Sequence, residues 1–254
     1  MRNYEQFRKI VQKILVCREC KDCYKPDAPT LVYSASEKAD VTLISESPYY
    51  FPSEIRSFTI EDHMKDLSTI LAKVRNEGHD GKIHEFIFCT FRPLFDPRGK
   101  DMAAQFAERV YWTHIAKKSF KSINTKERME AARKCAEKLI IKELALIEPK
   151  LLITVSSIAT RMLFGLGFKD LYDQHIASNG ELLELGKVLD MSAPKSLIVQ
   201  SIKEKKFTSG WTPKLAVLPN PSGAAARWQS YAYLKNPKIV NGIHKRILET
   251  LSFS

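Results

Sequence analysis

The chain has 254 residues, 44% of them hydrophobic and 27% charged, with 40 Lys and Arg against 29 Asp and Glu for a net charge of +11. That composition excludes a disordered or fibrous protein, and a chain of this length buries roughly 70–75% of the surface that its unfolded form exposes, so no covalent staple is required. Five cysteines are too few and too uneven for a secreted disulfide framework, and the charged, amphipathic start MRNYEQFRKI is not a signal peptide.

Phe7, Ile10, Val11, Ile14 and Leu15 recur at helical spacing and predict an N-terminal helix running into the first cysteines. After a Pro-containing loop at Lys25 to Thr30, Val41 to Ser45 reads as a buried strand that feeds a turn. Met64, Leu67, Ile70, Leu71 and Val74 predict a helix that stops before Gly78. Glu85 to Thr90 and Val110 to Ile115 are strand candidates, separated by a Pro/Gly loop and a short helix at Ala103 to Arg109. A long helix is expected from Thr125 to Ile147, ended by Glu148-Pro149 and followed at once by a strand at Leu151 to Val155. Ser157 to Phe164 is a short helix ended by Gly165, Ser196 to Gln200 and Leu215 to Leu218 are strands, and Pro237 to Leu251 is a closing helix.

Strands alternating with helices predict the α/β class. The expected architecture is a single three-layer α/β/α domain over 1–254, with a central, largely parallel sheet and a ligand crevice at the carboxyl ends of its strands. Residues 1–30 form a cysteine-bearing N-terminal segment, and 166–214, the least regular stretch, reads as an insertion or surface loops. No internal repeat, P-loop or G-x-G-x-x-G is present. The longest apolar run, near Leu151 to Val155, is far short of the ~20 residues that span a bilayer. The expectation is a cytoplasmic, nucleoid-associated protein of prokaryotic type, monomeric and without a membrane partner. Net positive charge favours a polyanion such as DNA, because neutralising phosphates releases condensed counterions; an idle basic surface is the alternative.

Cys17-x2-Cys20-x2-Cys23 is the most specific local signal, since three thiolates at this spacing can wrap one soft metal centre. The spacing is typical of iron-sulfur ligation, a [4Fe-4S] cluster, with zinc as the runner-up and no metal as the third option. Cys135, on the long helix, is the preferred fourth ligand. Cys89 lies within an apolar run and reads as an inert core thiol.

Two loops follow strands: Ser45-Glu46-Ser47-Pro48-Tyr49 early, and Pro219-Asn220-Pro221-Ser222-Gly223 late. Together they resemble the two active-site motifs of the uracil-DNA glycosylase superfamily. The first is similar to the Gly-Glu-x-Pro-Gly loop of its iron-sulfur branch, and the second to the Asn-Pro-Ser-Gly loop of the mismatch-specific uracil glycosylases. Val110 to Lys118 resembles that branch's Thr-Asn-Val-Val-Lys-Cys strand, and Cys135 to Ala159 its cysteine-bearing helix and next strand, so that the resemblance spans about residues 10 to 235. The chain departs from the pattern at Lys118, which stands where the branch has its third cysteine, leaving Cys23 to substitute as ligand. Ser45 and Tyr49 replace both glycines of the first loop. His114 aligns with the asparagine that reads the uracil edge.

The resemblance implies cleavage of an N-glycosidic bond, which develops positive charge on the sugar and negative charge on the departing base. Glu46 would orient or deprotonate water or stabilise the oxocarbenium-like sugar, and Ser47 occupies the place of the water-holding residue of other branches. A helix cap or surface carboxylate is the alternative for Glu46. Asn220 would face the base carbonyl or the water, with Ser222 and Gly223 near a phosphate, although Asn-Pro-Ser-Gly is also a good turn by itself. Phe58 falls near the family's stacking aromatic, with Tyr49, Tyr50 or Phe51 as substitutes. Arg227 or Trp228 would fill the gap left by the extruded nucleotide, and Lys117 and Lys118 read as phosphate contacts or a solvated face. His114 is a base-edge reader, a weak acid, or a buried and satisfied histidine.

The functional expectation is a monofunctional DNA glycosylase acting on uracil or another modified pyrimidine, which leaves an abasic site. No lysine is placed as an amine nucleophile. One alternative keeps the chemistry but excises a bulky modified cytosine, glucosylated hydroxymethylcytosine, from phage DNA in antiviral defence. A second is a non-catalytic iron-sulfur DNA-binding module. A metal-dependent nuclease or hydrolase is disfavoured, as no His/Asp cluster has hard-metal spacing.

Overall fold

The structure, a computed structural model, describes residues 2–17, 23, 39–47, 89–96, 102–117, 120–121, 124–155, 157–163, 214–217 and 237–252. Among these residues, four strands, β1 (Val41–Ser45), β2 (Val110–His114), β3 (Leu151–Thr154) and β4 (Lys214–Val217), form one sheet in the order β2-β1-β3-β4. All three pairings are parallel, with Val41 opposite both Val110 and Leu151, and Leu151 opposite Lys214. The protein is therefore of the α/β class. From β1 the chain goes to β2 on one side and to β3 on the other, so the winding reverses between β1 and β3. The crevice outside the carboxyl ends at such a reversal is the usual ligand site of a parallel sheet.

Six helices accompany the sheet among the described residues: α1 (Arg2–Val16), α2 (Met102–Arg109), α3 (Thr125–Cys135), α4 (Ile141–Ile147), α5 (Ser157–Leu163) and α6 (Pro237–Ser252). A single π turn, Ala136–Ile140, joins α3 to α4. The Asn124 side chain starts α3 by accepting the Glu127 N–H at 2.9 Å, satisfying one of the amides that a helix start leaves without a partner. Glu148 ends α4 in the left-handed region (φ 44°) with its N–H on the Leu144 carbonyl, and Pro149 follows.

Register partners in a parallel sheet point the same way, and alternate residues point oppositely. Thr42, Ile44, Tyr111, Thr113, Leu152 and Thr154 thus share one face, and Leu43, Ser45, Trp112, His114 and Ile153 the other. On the first face, Ile44 and Leu152 pack with Ala132, Ala136, Ile140 and Leu144 of the long helix and with Ile158 and Met162 of α5. Beside them, Ile10, Val11 and Ile14 of α1 pack with Tyr111, Leu139 and Ile147. Ile10, Val11 and Ile14 of the stripe read on the first helix are buried. At the amino end of the sheet, the Asp40 backbone carbonyl accepts the N–H groups of Lys150 and Leu151, and its carboxylate stands 3.4 Å from Lys150 Nζ and 3.8 Å from Arg109, so one residue ties the starts of β1, β2 and β3.

The expected elements at 7–15, 41–45, 103–109, 110–115, 125–147, 151–155, 157–164, 215–218 and 237–251 are present within a residue or two, apart from the start of α1. One expectation is corrected at its end. Cys89 and Thr90 lie in a helical turn, not a strand, and a 3-10 turn at Arg92–Leu94 continues it. Pro93 suits an opening helical turn and supplies no ladder N–H, and Phe91 buries against the Phe106 ring edge-on, with centroids 5.3 Å apart. Cys89 is half-buried rather than a core thiol, and its carbonyl is bonded to His244 Nε2 at 2.6 Å. The helix expected at Met64 to Val74, the strand at Ser196 to Gln200 and all but the last residue of the stretch 166–214 lie outside the described residues.

Candidate functional site

The carboxyl ends of β1 and β2 are held together beyond the last strand residues. The Ile115 N–H donates to Ser45 O and the Ala116 N–H to Glu46 O, both at 2.8 Å, while the Val155 N–H reaches Ile44 O at 3.0 Å from β3. Glu46 therefore has a fixed backbone at the point where the winding reverses. Its carboxylate is mostly buried and lies 3.7 Å from Arg128 Nε on α3. Burial pushes the carboxyl pKa above the usual range, and the Arg128 guanidinium partly opposes this. Arg128 in turn sits over the Phe120 ring, 5.6 Å from its centroid. A poorly solvated carboxylate of raised pKa is, in its ionised form, suited to accept a proton or to face a developing cation.

Behind Glu46, on the face covered by the long helix, is a buried ionic network. Glu143 Oε2 accepts from the Tyr111 hydroxyl at 2.7 Å and the Thr113 hydroxyl at 2.6 Å, and Lys117 Nζ lies 2.5 Å from Glu143 Oε1 and 2.6 Å from Thr113 Oγ1. Lys117 and Glu143 are almost completely buried. Burial lowers the Lys117 pKa and the Glu143 carboxylate opposes that; burial and the same carboxylate raise the Tyr111 pKa well above its ordinary value. Lys117, expected at a phosphate or on a solvated face, is instead turned inward and ion-paired. Glu143 was missed by the sequence reading, although its signal was there: an acidic residue on the apolar stripe Leu139, Ile140, Leu144, Ile147 needs a buried partner.

The opposite face carries a neutral relay. Trp112 Nε1 donates to Ser45 Oγ at 2.9 Å, Ser45 Oγ and His114 Nδ1 are 2.7 Å apart, and the indole and imidazole rings are 5.7 Å apart at 51°. His114 is buried, and burial together with the Lys117 ammonium pushes its pKa well below that of a free histidine, so the ring is neutral at pH 7.

Of the expected metal ligands, Cys17 follows α1 with its N–H on Ile14 O, Cys23 packs against the apolar cluster that contains buried Cys135, and Cys23 O accepts the Lys121 N–H at 3.0 Å. Cys23 and Cys135 thus border the same apolar cluster. Among the described residues, no group of three His, Cys, Asp or Glu side chains is placed to hold a metal ion. Ser47 lies half-buried next to Glu46. Cys20, Tyr49, Phe58, Lys118, Asn220, Ser222, Gly223, Arg227 and Trp228 lie outside the described residues. No described helix is long and apolar enough to cross a membrane. No protein-family model matches the chain, and no curated protein matches it.

Proposed function

We propose that the protein is a monofunctional DNA glycosylase that hydrolyses the N-glycosidic bond of a flipped-out modified pyrimidine. The observation that carries this reading is Glu46: a partly buried carboxylate of raised pKa, its backbone held at the carboxyl end of β1 where the winding reverses, in the loop that resembles a glycosylase motif. As a carboxylate it orients or deprotonates the attacking water, or stabilises the cationic sugar. The Arg128 guanidinium opposes the rise in its pKa and so favours the ionised form. His114 lies one strand away and supplies a neutral ring for the base, and Asn220 completes the set of donors for the departing base by the same resemblance. Hydrolysis by water leaves an abasic site with the strand intact.

The three-layer α/β/α arrangement over one domain belongs to this proposal, as do DNA as partner, a monomeric state and nucleoid-associated location. So does a [4Fe-4S] cluster held by Cys17, Cys20, Cys23 and Cys135. Such a cluster supplies a cross-link between the N-terminal segment and the long helix, and no step of base removal passes through it. That Cys23 packs against the apolar cluster containing Cys135 supports the pairing of those two elements.

The test is base release from DNAs containing uracil, hypoxanthine, hydroxymethylcytosine or its glucosylated form, by wild type and by Glu46→Ala and Asn220→Ala. Release of one base, reduced about 100-fold or more in each variant, supports the proposal. Salt-dependent DNA binding without release from any substrate, unaffected by Glu46→Ala, gives the non-catalytic binding module instead.

A further inference from the structure

Glu143 stands behind the site on α4, and its contacts converge on one short piece of chain. Lys117 Nζ, 2.5 Å from Glu143 Oε1, turns back to donate to Thr113 Oγ1 at 2.6 Å, and the Thr113 hydroxyl donates onward to Glu143 Oε2 at 2.6 Å. These directions follow from the groups themselves. An ammonium only donates and a carboxylate only accepts, so the single hydrogen of the threonine hydroxyl goes to Glu143 and a lone pair of its oxygen to Lys117. Residues 113 and 117 are thereby tied to each other and to α4. Between them lie Ile115 and Ala116, both buried, whose N–H groups hold Ser45 O and Glu46 O at 2.8 Å. The segment that grips the Glu46 main chain is therefore the one that the ion pair closes.

We propose that Lys117 and Glu143 are positioning residues for Glu46: their buried ion pair clamps the segment 113–117, which in turn sets where the Glu46 main chain stands at the end of β1. The catalytic half of this inference rests on the glycosylase reading. A buried ion pair is poor evidence of stability, because apolar groups of similar volume commonly serve a core as well. What charges joined through a hydroxyl supply is direction, since each atom has a partner at a set distance. The long helix thus reaches Glu46 twice. Arg128 of α3 stands 3.7 Å from the carboxylate, and Glu143 of α4 acts on the main chain through Lys117. Position matters at such a place because a shift of about 1 Å in a reacting group can cost on the order of 100-fold in rate, even when its cause lies away from the chemistry.

Two readouts on the full chain test this, in the variant that replaces both ions, Lys117→Met with Glu143→Leu. The first is amide hydrogen exchange of Ile115 and Ala116 by NMR, with Val155 as the internal control. The Val155 N–H holds Ile44 O from the β3 side of the same strand and touches no member of the network. A clamp that acts locally predicts exchange at Ile115 and Ala116 accelerated about tenfold or more beyond any change at Val155. Thr113→Val, which removes only the connecting hydroxyl and keeps both ions, is expected to show the same selectivity at smaller amplitude, and it decides the matter should the first variant not fold. All three amides accelerating together, or none, overturns the proposal. The second readout is base release from DNAs carrying uracil, hypoxanthine, hydroxymethylcytosine or its glucosylated form. A fall in kcat of roughly tenfold or more, with KM within about threefold of wild type, supports the catalytic half. Wild-type kcat despite selective exchange overturns that half and leaves the glycosylase reading intact. No release from any DNA by wild type overturns the glycosylase reading and the catalytic half together, and the clamp itself then stands or falls on the exchange.

Discussion

Tyr111 and Thr113 point to one face of the sheet, Trp112 and His114 to the other, and the polar chemistry on the two faces is built differently. On the first face the hydrogen bonds end on a charge: two hydroxyls and an ammonium converge on the Glu143 carboxylate, all out of contact with water. On the second they join neutral groups, an indole, a hydroxyl and an imidazole. A buried charge pair tolerates no missing member, because the partner left behind is a desolvated ion. A neutral relay leaves no desolvated ion behind when one member is lost. The first arrangement fastens α4 to the end of β2. The second joins the carboxyl ends of β1 and β2 next to Glu46.

The sharpest way to break this comparison is to remove one charge. Glu143→Ala is expected to cost about 3–5 kcal/mol in urea denaturation, by stranding Lys117 and two hydroxyls. Replacing both ions, as in Lys117→Met with Glu143→Leu, is expected to recover most of that loss, which a double-mutant cycle would measure. Equal losses in the single and double variants would show that packing, not charge, is what the network supplies.

Glu46→Gln is expected to lower base release about 100-fold or more while leaving the urea midpoint at or above that of wild type. Its sign follows from the raised pKa: ionised Glu46 is less comfortable in the fold than in water, so the fold gains when the charge is removed. The acid limb of the pH–rate profile should lie above the ordinary carboxylate range and move higher in Arg128→Ala, since Arg128 is the group that holds it down. An acid limb that ignores Arg128→Ala would remove Glu46 from the titrating role.

A smaller effect is expected from the neutral face. In the unfolded chain a histidine protonates near pH 6.5, whereas His114 in the fold resists protonation to well below that value. Below about pH 6.5 the unfolded state therefore binds more protons, and stability should fall as pH is lowered toward 5. His114→Gln should flatten this dependence, measured as urea midpoint against pH. The smallest effect is expected at the far end of the sheet, where Asp40→Asn weakens two partly exposed ion pairs and should cost at most about 1 kcal/mol.

The alternation of apolar runs made most of the described fold legible. Val41 to Ser45, Val110 to His114 and Leu151 to Thr154 are continuous buried strands whose composition admits little else, and the stripe on α1 announces its buried face. The apolar run ending at Cys89-Thr90 misled because period alone does not separate a short buried strand from a helical turn; Pro93 was the arbiter. At the site, Glu46 was legible through its loop and His114 through its strand. The relay from Trp112 to Ser45 was not, because cross-strand register is a property of the assembled sheet. Lys117 was read with Lys118 as a surface pair, yet its environment is set by Glu143, a residue 26 positions away in the chain.

The π turn between α3 and α4 has a consequence for how this chain is compared with others. A turn closed by i→i+5 bonds holds one residue more than an α turn, so everything after Ile140 is rotated by about 100° relative to an uninterrupted helix of the same sequence. Cys135 precedes that extra residue and Glu143 follows it. A relative with an unbroken helix would need a one-residue gap between those two positions before its own acidic residue could be matched to Glu143. Alignment without the gap would pair Glu143 with a residue on the wrong side of the helix, and the buried partner of Lys117 would go unnoticed.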